Sequence, residues 1–504
     1  MVAVAGGGRR ASRCRELARS IEPYLLPKKI EPDRIALFCP RLAELSGFVL
    51  LEELDHGLAP GLRRDSLARG SITQDGNARS ILRSLTSPAH RTQPLSNFAQ
   101  SSSMRYNAGM KFERAVVGEI EAALKRRPPL LQVVIGPRQV GKTTAASQVE
   151  KRLGWPSHTA SADAALPHPP EWIETQWRLA RAKAVSSRHR VLLVLDEIQK
   201  VRGWSEVVKR LWDAEVRAGV KVYPVLLGSS ALLVQRGLTE SLAGRFFLHR
   251  CTHWSWPECR DAFGWDVDRW IYFGGYPGAA ALADDELQWK RYVADSLIET
   301  VLSRDVLQMQ TITKPALLRH LFALAATYPA QILSYNKMLG QLQDAGNTVT
   351  LASYLRLLET AFLASGLELF SKGQERKRGS SPKLILWNNA LVNATSLKSF
   401  DQAFADGPWW GRLVENAVGA HLLNHLQGPP WSVTYWRDAG EEVDFVVSHG
   451  AQTWAVEVKS GRSDRVSGLA AFRKRYPKSK VWLVGDTGVP LEDFLGRPAQ
   501  EWFT

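Results

Sequence analysis

The amino-acid sequence predicts a multidomain α/β protein, and its hydrophobic patterning carries that prediction. Short apolar runs at 130–135, 191–195 and 223–227 have the length and composition of buried parallel strands. Each run ends in glycine, acidic or serine residues, and helical patterns lie between the runs. With 504 residues, the chain is long enough for about three domains.

Composition limits the class of protein. Hydrophobic residues make up 45% of the chain, but no apolar run approaches the ~18 residues of a membrane span, and the N-terminus lacks a secretory signal. The cysteines form no CxxC pair, which argues against a disulfide framework or a zinc site: Cys14, Cys39, Cys251 and Cys259. We therefore expect a cytoplasmic protein without membrane contact. A net charge of +15 favours an anionic partner, with nucleic acid the first candidate.

Changes in composition divide the chain into five segments. They are an N-terminal extension at 1–103, a nucleotide-binding core at 104–265, a helical linker at 266–310, a winged-helix-like region at 311–395 and a small α/β domain at 396–504. The extension is polar and lacks periodicity, so it is either a disordered arm or sequence upstream of a natural start at Met104.

A phosphate-binding loop follows the first apolar run. The stretch GPRQVGKTT fits the pattern G-x-x-x-x-G-K-[ST], and a strand before it and a helix after it complete an anion site. Lys142 is expected to reach the β- and γ-phosphates, and the Thr143 hydroxyl to bind Mg²⁺. The residues expected to contact the nucleotide are Gly136, Pro137, Arg138, Gln139, Val140, Gly141, Lys142, Thr143 and Thr144.

The next two apolar runs end in residues suited to phosphoryl transfer. Asp196 is expected to hold the Mg²⁺ shell, and Glu197 to orient and deprotonate the attacking water, as in a Walker B strand. Ser229 is a candidate sensor of the γ-phosphate, although a serine can also simply cap a strand end. Arg245 is the candidate arginine finger, in cis or across a subunit boundary of a homo-oligomer, with Arg250 as its rival and a surface arginine as the alternative.

Five motifs together resemble a known family. GPRQVGKTT, LLVLDEIQ, LLGSSALL, SLAGR and FGGYPGA stand in the order and spacing of AAA family ATPases of bacteria and archaea with an uncharacterised C-terminal domain. The resemblance covers the chain from about Met104 and implies an ATPase core that uses ATP and Mg²⁺. The chain departs from the family in HWSWPECR, which keeps Glu258 but moves a proline, and at Asn388 and Asn389, where the family has an aspartate.

The region at 311–395 reads as three helices followed by two strands, which fits a winged helix. Its predicted recognition helix, Thr350 to Leu363, carries one basic residue, Arg356, so DNA binding and protein contact both stay open. In and beside the basic loop between the strands, Lys377, Arg378 and Lys383 are candidates for phosphate contact, unless they are merely solvated.

The last segment contains a second group of charged residues. Asp444 on one predicted strand and Glu457-Val458-Lys459 on the next follow the pattern of PD-(D/E)XK nucleases, and Glu415 lies on the preceding helix. Glu457 and Lys459 alternate onto one strand face. Carboxylates that hold Mg²⁺ beside a lysine suit phosphodiester hydrolysis, so Glu415, Asp444 and Glu457 are predicted metal ligands. The alternative is a strand pair whose charges form salt bridges.

The predicted function is ATP hydrolysis coupled to action on a macromolecule, with DNA favoured. Three alternatives remain at this point. The protein is a nucleotide-gated switch or scaffold whose nuclease-like domain only binds, an ATP-dependent and Mg²⁺-requiring nuclease, or an ATPase that acts on a protein partner.

Overall fold

The computed structural model describes residues 112–164, 167–228, 241–306, 312–342, 347–371, 380–461, 467–485 and 487–504. The chain divides into two units, Met1–Phe98 and Ala99–Thr504, and all described residues belong to the second. The N-terminal extension, Ser229, Lys377 and Arg378 lie outside the described residues. Within the described ranges, no helix combines the length and the apolar character that a membrane span requires.

The first part of the second unit is a five-stranded parallel sheet with helices on both faces. Its strand order is β2-β3-β4-β1-β5. The elements are α1 (Ala115–Lys125), β1 (Leu131–Ile135), α2 (Lys142–Leu153), β2 (Ser157–Ser161), α3 (Glu171–Ser187), β3 (Val191–Asp196), a 3₁₀ turn (Ile198–Lys200), α4 (Trp204–Arg217), β4 (Val222–Gly228) and β5 (Phe246–Arg250). The predicted α/β core is confirmed.

The side chains of β1 explain why this sheet is sandwiched between helices. Leu131 and Val133 face one hydrophobic layer, together with Trp177 of α3. Val134 faces the opposite layer, with Ile120 of α1. Every residue of β1 is buried, and apart from Gln132 the strand is apolar, so it does not show the alternation of a half-exposed strand.

The middle of the chain is helical and ends in a small sheet. Its elements are α5 (Trp256–Phe263), α6 (Val267–Phe273), α7 (Pro277–Ala280), α8 (Glu286–Arg291), two π-helical stretches (Tyr292–Glu299 and Val301–Val306), α9 (Pro315–Thr327), α10 (Tyr335–Gln341), α11 (Thr348–Thr360), β6 (Ala364–Leu367) and β7 (Lys383–Leu386). Strands β6 and β7 are antiparallel. Three helices therefore precede a two-stranded sheet, while the winged helix itself stays a prediction.

The C-terminal part is a four-stranded mixed sheet packed against a long helix. Its elements are α12 (Ala390–Asn393), α13 (Phe400–Ala405), α14 (Gly407–His425), β8 (Trp431–Asp438), β9 (Glu441–His449), β10 (Gln452–Lys459), α15 (Ser467–Arg475), β11 (Lys480–Gly485), α16 (Leu491–Leu495) and a 3₁₀ turn (Ala499–Trp502). The strand order is β11-β10-β9-β8, and only β10 and β11 are parallel. The three strands predicted at 433–461 are present.

Buried asparagines connect the middle of the chain to the C-terminal part. The Asn388 side-chain oxygen accepts from the Gly275 amide at 3.1 Å. The Asn389 amide nitrogen donates to the carbonyls of Ile271 and Leu413, at 2.8 and 2.9 Å. The two asparagines that replace an expected aspartate thus have a structural role, since they satisfy backbone groups inside a buried junction.

A matched pair of glycine substitutions tests this packing. A Cβ on Gly468 of α15 would lie 1.8 Å from the Glu442 carbonyl oxygen, whereas a Cβ on Gly118 of α1 meets nothing within 4 Å. We expect Gly468→Ala to destabilise the protein by about 1–3 kcal/mol through overpacking. Gly118→Ala should stabilise it by about 0.5–1 kcal/mol, because alanine is the better helix former. Thermal unfolding midpoints that shift in the same direction would contradict the described packing.

Candidate functional site

The phosphate-binding loop lies at the carboxyl ends of the parallel strands, between β1 and α2. A Cβ on Gly136 would lie 1.9 Å from the Cys251 carbonyl oxygen, and Gly141 has a left-handed φ of 92°, so both positions require glycine. The buried Lys142 ammonium donates to the carbonyls of Gly136 and Pro137, at 3.1 and 2.6 Å. Burial lowers the pKa of Lys142, and a phosphate anion beside it would favour the charged form again.

The predicted Walker residues meet at this edge of the sheet. The Thr143 hydroxyl donates to Asp196 Oδ2 at 2.8 Å. The Glu197 amide donates to Asp196 Oδ1 at 2.9 Å, and Gln199 donates to Glu197 Oε2 at 2.7 Å. A hydroxyl and carboxylates are the hard oxygen ligands that Mg²⁺ prefers, so the residues present fit a nucleotide-bound magnesium ion.

The two candidate arginine fingers lie at opposite ends of β5. Arg245 precedes the strand on the side of Leu131, where its guanidinium is paired with Asp213 at 2.8 Å. Arg250 ends the strand beside Ile135, the residue before the phosphate-binding loop. This placement does not support action of Arg245 in cis, because the strand separates it from the loop. Its action across a subunit boundary stays a prediction, as does the role of Ser229, which lies outside the described residues.

Two ion pairs that the sequence did not indicate hold the phosphate-binding loop. Arg138 of the loop forms a bidentate pair with Asp305 of the second π-helical stretch, at 2.6 and 2.7 Å. Buried Arg114 pairs with Glu258 at 2.7 Å and donates to the Val140 carbonyl at 3.2 Å. The loop is therefore fixed by residues that lie before and after it in the chain, and one of them, Asp305, lies beyond the predicted core at 104–265.

The C-terminal charged residues also come together, with one unexpected member. Lys459 Nζ lies 2.6 Å from Glu457 Oε1. The side chain of Lys383, on β7, is fully buried, and its Nζ lies 2.5 Å from Glu415 Oε1 and 3.2 Å from Asp444 Oδ1. The prediction that Lys383 contacts phosphate is wrong, because this side chain points into the protein and not into solvent. We call these five residues the C-terminal charge cluster.

Burial dominates the electrostatics of this cluster. Burial, followed by the charge of the neighbouring Asp444, raises the pKa of Glu415 to about 8 and that of Glu457 to about 7. Burial alone would lower the pKa of Lys383, but Glu415 and Asp444 raise it well above its ordinary value. In the part of the chain that the structure describes, no three His, Cys, Asp or Glu side chains are arranged to hold a metal ion.

Comparison with known families identifies the first part of the second unit. Residues 129–259 match the family described as AAA domain. Residues 264–402 and 410–495 match two families that are both described as domains of unknown function, DUF8612 and DUF4143. The AAA match covers the loop and the Walker residues, and the core is thus an AAA-type ATPase domain, which supports ATP binding.

Curated relatives extend the similarity beyond this domain. An uncharacterised protein of Mycobacterium tuberculosis is 26% identical over 397 residues, which cover 76% of this chain and 84% of the relative. An uncharacterised protein of Haemophilus influenzae is 24% identical, over 65% of this chain and 82% of its own length. Both similarities extend over more than half of this chain, and the descriptions of these proteins name no activity.

Solved structures show only a distant likeness. A Walker-type ATPase of Pyrococcus abyssi is 14% identical with a TM-score of 0.39, over 57% of this chain and 99% of that structure. The RuvB Holliday junction branch migration motor of Thermotoga maritima is 18% identical with a TM-score of 0.25, over 50% and 88%. The assignment of the ATPase domain therefore rests on the AAA match and on the geometry of the loop.

A double-mutant cycle tests the anchor of the phosphate-binding loop. The pair Arg138–Asp305 is bidentate, and the Asp305 side chain is 8% exposed. We expect Arg138→Ala and Asp305→Ala to be coupled by about 1–3 kcal/mol in the free energy of unfolding. The exposed pair Arg260–Asp261 is the matched control, with an expected coupling below about 1 kcal/mol. Equal coupling in the two pairs, measured without nucleotide, would contradict the proposed anchor.

Proposed function

We propose that the protein is an ATPase that hydrolyses ATP at the edge of the parallel sheet. The observation that carries this proposal is the meeting of Thr143 with Asp196 directly beside Lys142 and Glu197. These side chains belong to separate strand–loop units, and the sheet brings them to one edge. Without acidic residues at the end of a second strand, a nucleotide-binding loop would bind phosphate but would have no group to activate water.

Each side chain has a defined task in this proposal. The loop amides and Lys142 bind the phosphates, and Thr143 and Asp196 hold Mg²⁺, which neutralises phosphate charge when bound. Glu197 orients the attacking water and takes its proton. Gln199, which donates to Glu197 Oε2 at 2.7 Å, fixes the direction of that carboxylate. Arg245 would complete the site only from a neighbouring subunit of a homo-oligomer.

Replacing Glu197 by glutamine separates binding from hydrolysis. Glu197→Gln keeps the shape of the side chain and removes the base, so we expect turnover to fall about 100-fold or more. Affinity for ATP should stay within threefold, roughly 0.7 kcal/mol. Lys142→Ala should lose binding itself. Glu171→Gln, at an exposed glutamate of α3, is the control and should change neither quantity. Full turnover in the Glu197 variant would overturn the assignment of the base.

DNA is the proposed macromolecular partner, and the net charge of +15 together with three helices before a two-stranded sheet supports it. We expect plasmid DNA to raise ATP turnover several-fold at low salt. This effect should disappear at about 0.3 M salt, because phosphate contacts release counterions. Polyglutamate of equal charge serves as the control for a merely electrostatic effect. Turnover that does not respond to DNA would favour the switch or an ATPase with a protein partner.

A further inference from the structure

The amine of Lys383 is a buried cation that contacts three acidic side chains. Its side chain is 0% exposed, and its Nζ lies 2.5 Å from Glu415 Oε1, 3.2 Å from Asp444 Oδ1 and 3.7 Å from Glu442 Oε1. It also donates to the Asp444 backbone carbonyl at 3.2 Å. An ammonium survives burial only where anions and hydrogen-bond acceptors surround it, and here both are present.

Several of the oxygens predicted to bind a metal ion already have a donor. Asp444 accepts from Lys383 at Oδ1 and from the Val458 amide at Oδ2, the latter at 2.9 Å. Glu457 accepts from Lys459 at Oε1. Among the described residues, Glu457 Oε2 is the one carboxylate oxygen of the cluster that is buried without a hydrogen-bond partner.

These contacts do not fit a magnesium ion between Glu415 and Asp444. Mg²⁺ requires oxygen ligands in nearly octahedral geometry at about 2.0–2.1 Å. An ion at that distance from both carboxylates would stand beside the Lys383 ammonium, which contacts the same two side chains. Two cations in one buried space repel each other strongly. The arrangement therefore disagrees with the metal site that the sequence pattern predicts.

We infer that Lys383 is a built-in cation of the C-terminal charge cluster, in the place where the sequence pattern predicts a divalent metal ion. The lysine comes from β7, which pairs with β6 and not with the C-terminal sheet. Its ammonium contacts both Glu415 and Asp444 and thereby joins β7 to α14 and β9. The C-terminal domain accordingly has a binding or structural role, and it does not cleave phosphodiester bonds.

Removing the ammonium should create a metal site. We would titrate the full chain with Mn²⁺ in the absence of nucleotide. Only binding that Asp444→Asn abolishes would be counted, because this criterion excludes any ion bound at the phosphate-binding loop. We expect no such binding in the wild type. Lys383→Met, which keeps an unbranched side chain without its charge, should bind Mn²⁺ at least tenfold more tightly than the weakest binding that the titration detects. Metal-dependent nicking of plasmid DNA should be absent from the wild type.

Two controls make the result specific. Lys383→Arg keeps a cation and should gain no Mn²⁺ site, and Lys398→Met removes an exposed lysine paired with Asp406 at 3.0 Å and should gain none either. Mn²⁺ binding by the wild type that Asp444→Asn abolishes would overturn the inference. A folded Lys383→Met without a new site would do the same, and if that variant fails to fold, the comparison of wild type with Asp444→Asn still decides. None of these outcomes bears on ATP hydrolysis.

Discussion

The hydrogen bonding of β1 between β4 and β5 is the constraint on which the ATPase domain depends. Parallel pairing on both sides fixes where β1 ends, with Ile135 beside Gly228 on one side and Arg250 on the other. Because β3 pairs with β4 in the same direction, Asp196 ends at the same edge as the loop. The nucleotide site thus follows from strand direction, before any side chain is considered.

Buried charges perform a second organising task, since they connect parts of the chain that are distant in sequence. Arg114 meets Glu258, and Arg138 meets Asp305, around one loop. Lys383 meets acidic residues of α14 and β9. Breaking a buried pair leaves an uncompensated charge, which costs free energy of folding. Such contacts therefore favour one arrangement of the segments over others, while they add little net stability.

Local patterns predicted much of this structure, and long-range pairings explain what they missed. The strand at 130–135 and the loop after it were predictable, because the strand depends on a continuous stretch of sequence and the loop on a motif within a few residues. Arg138 and Asp305 are separated by 167 positions, and no local signal relates them. The basic stretch before Lys383 predicts a solvated loop. Strand β7, which contains Lys383, instead pairs with β6, and this pairing places the lysine in the interior.

The position of Lys383 on β7 limits where the chain can be divided into independent segments. Lys383 contacts a carboxylate of the C-terminal part, but it precedes the C-terminal sheet by more than one helix. A domain boundary at residue 396 would therefore separate the carboxylates from the ammonium group that contacts them. If only the last segment were exchanged with a chain that lacks these charges, one product would have the Lys383 ammonium without its carboxylates and the other the carboxylates without the ammonium. Strand β7 and the C-terminal sheet therefore belong together in the folded protein, although they match two different families.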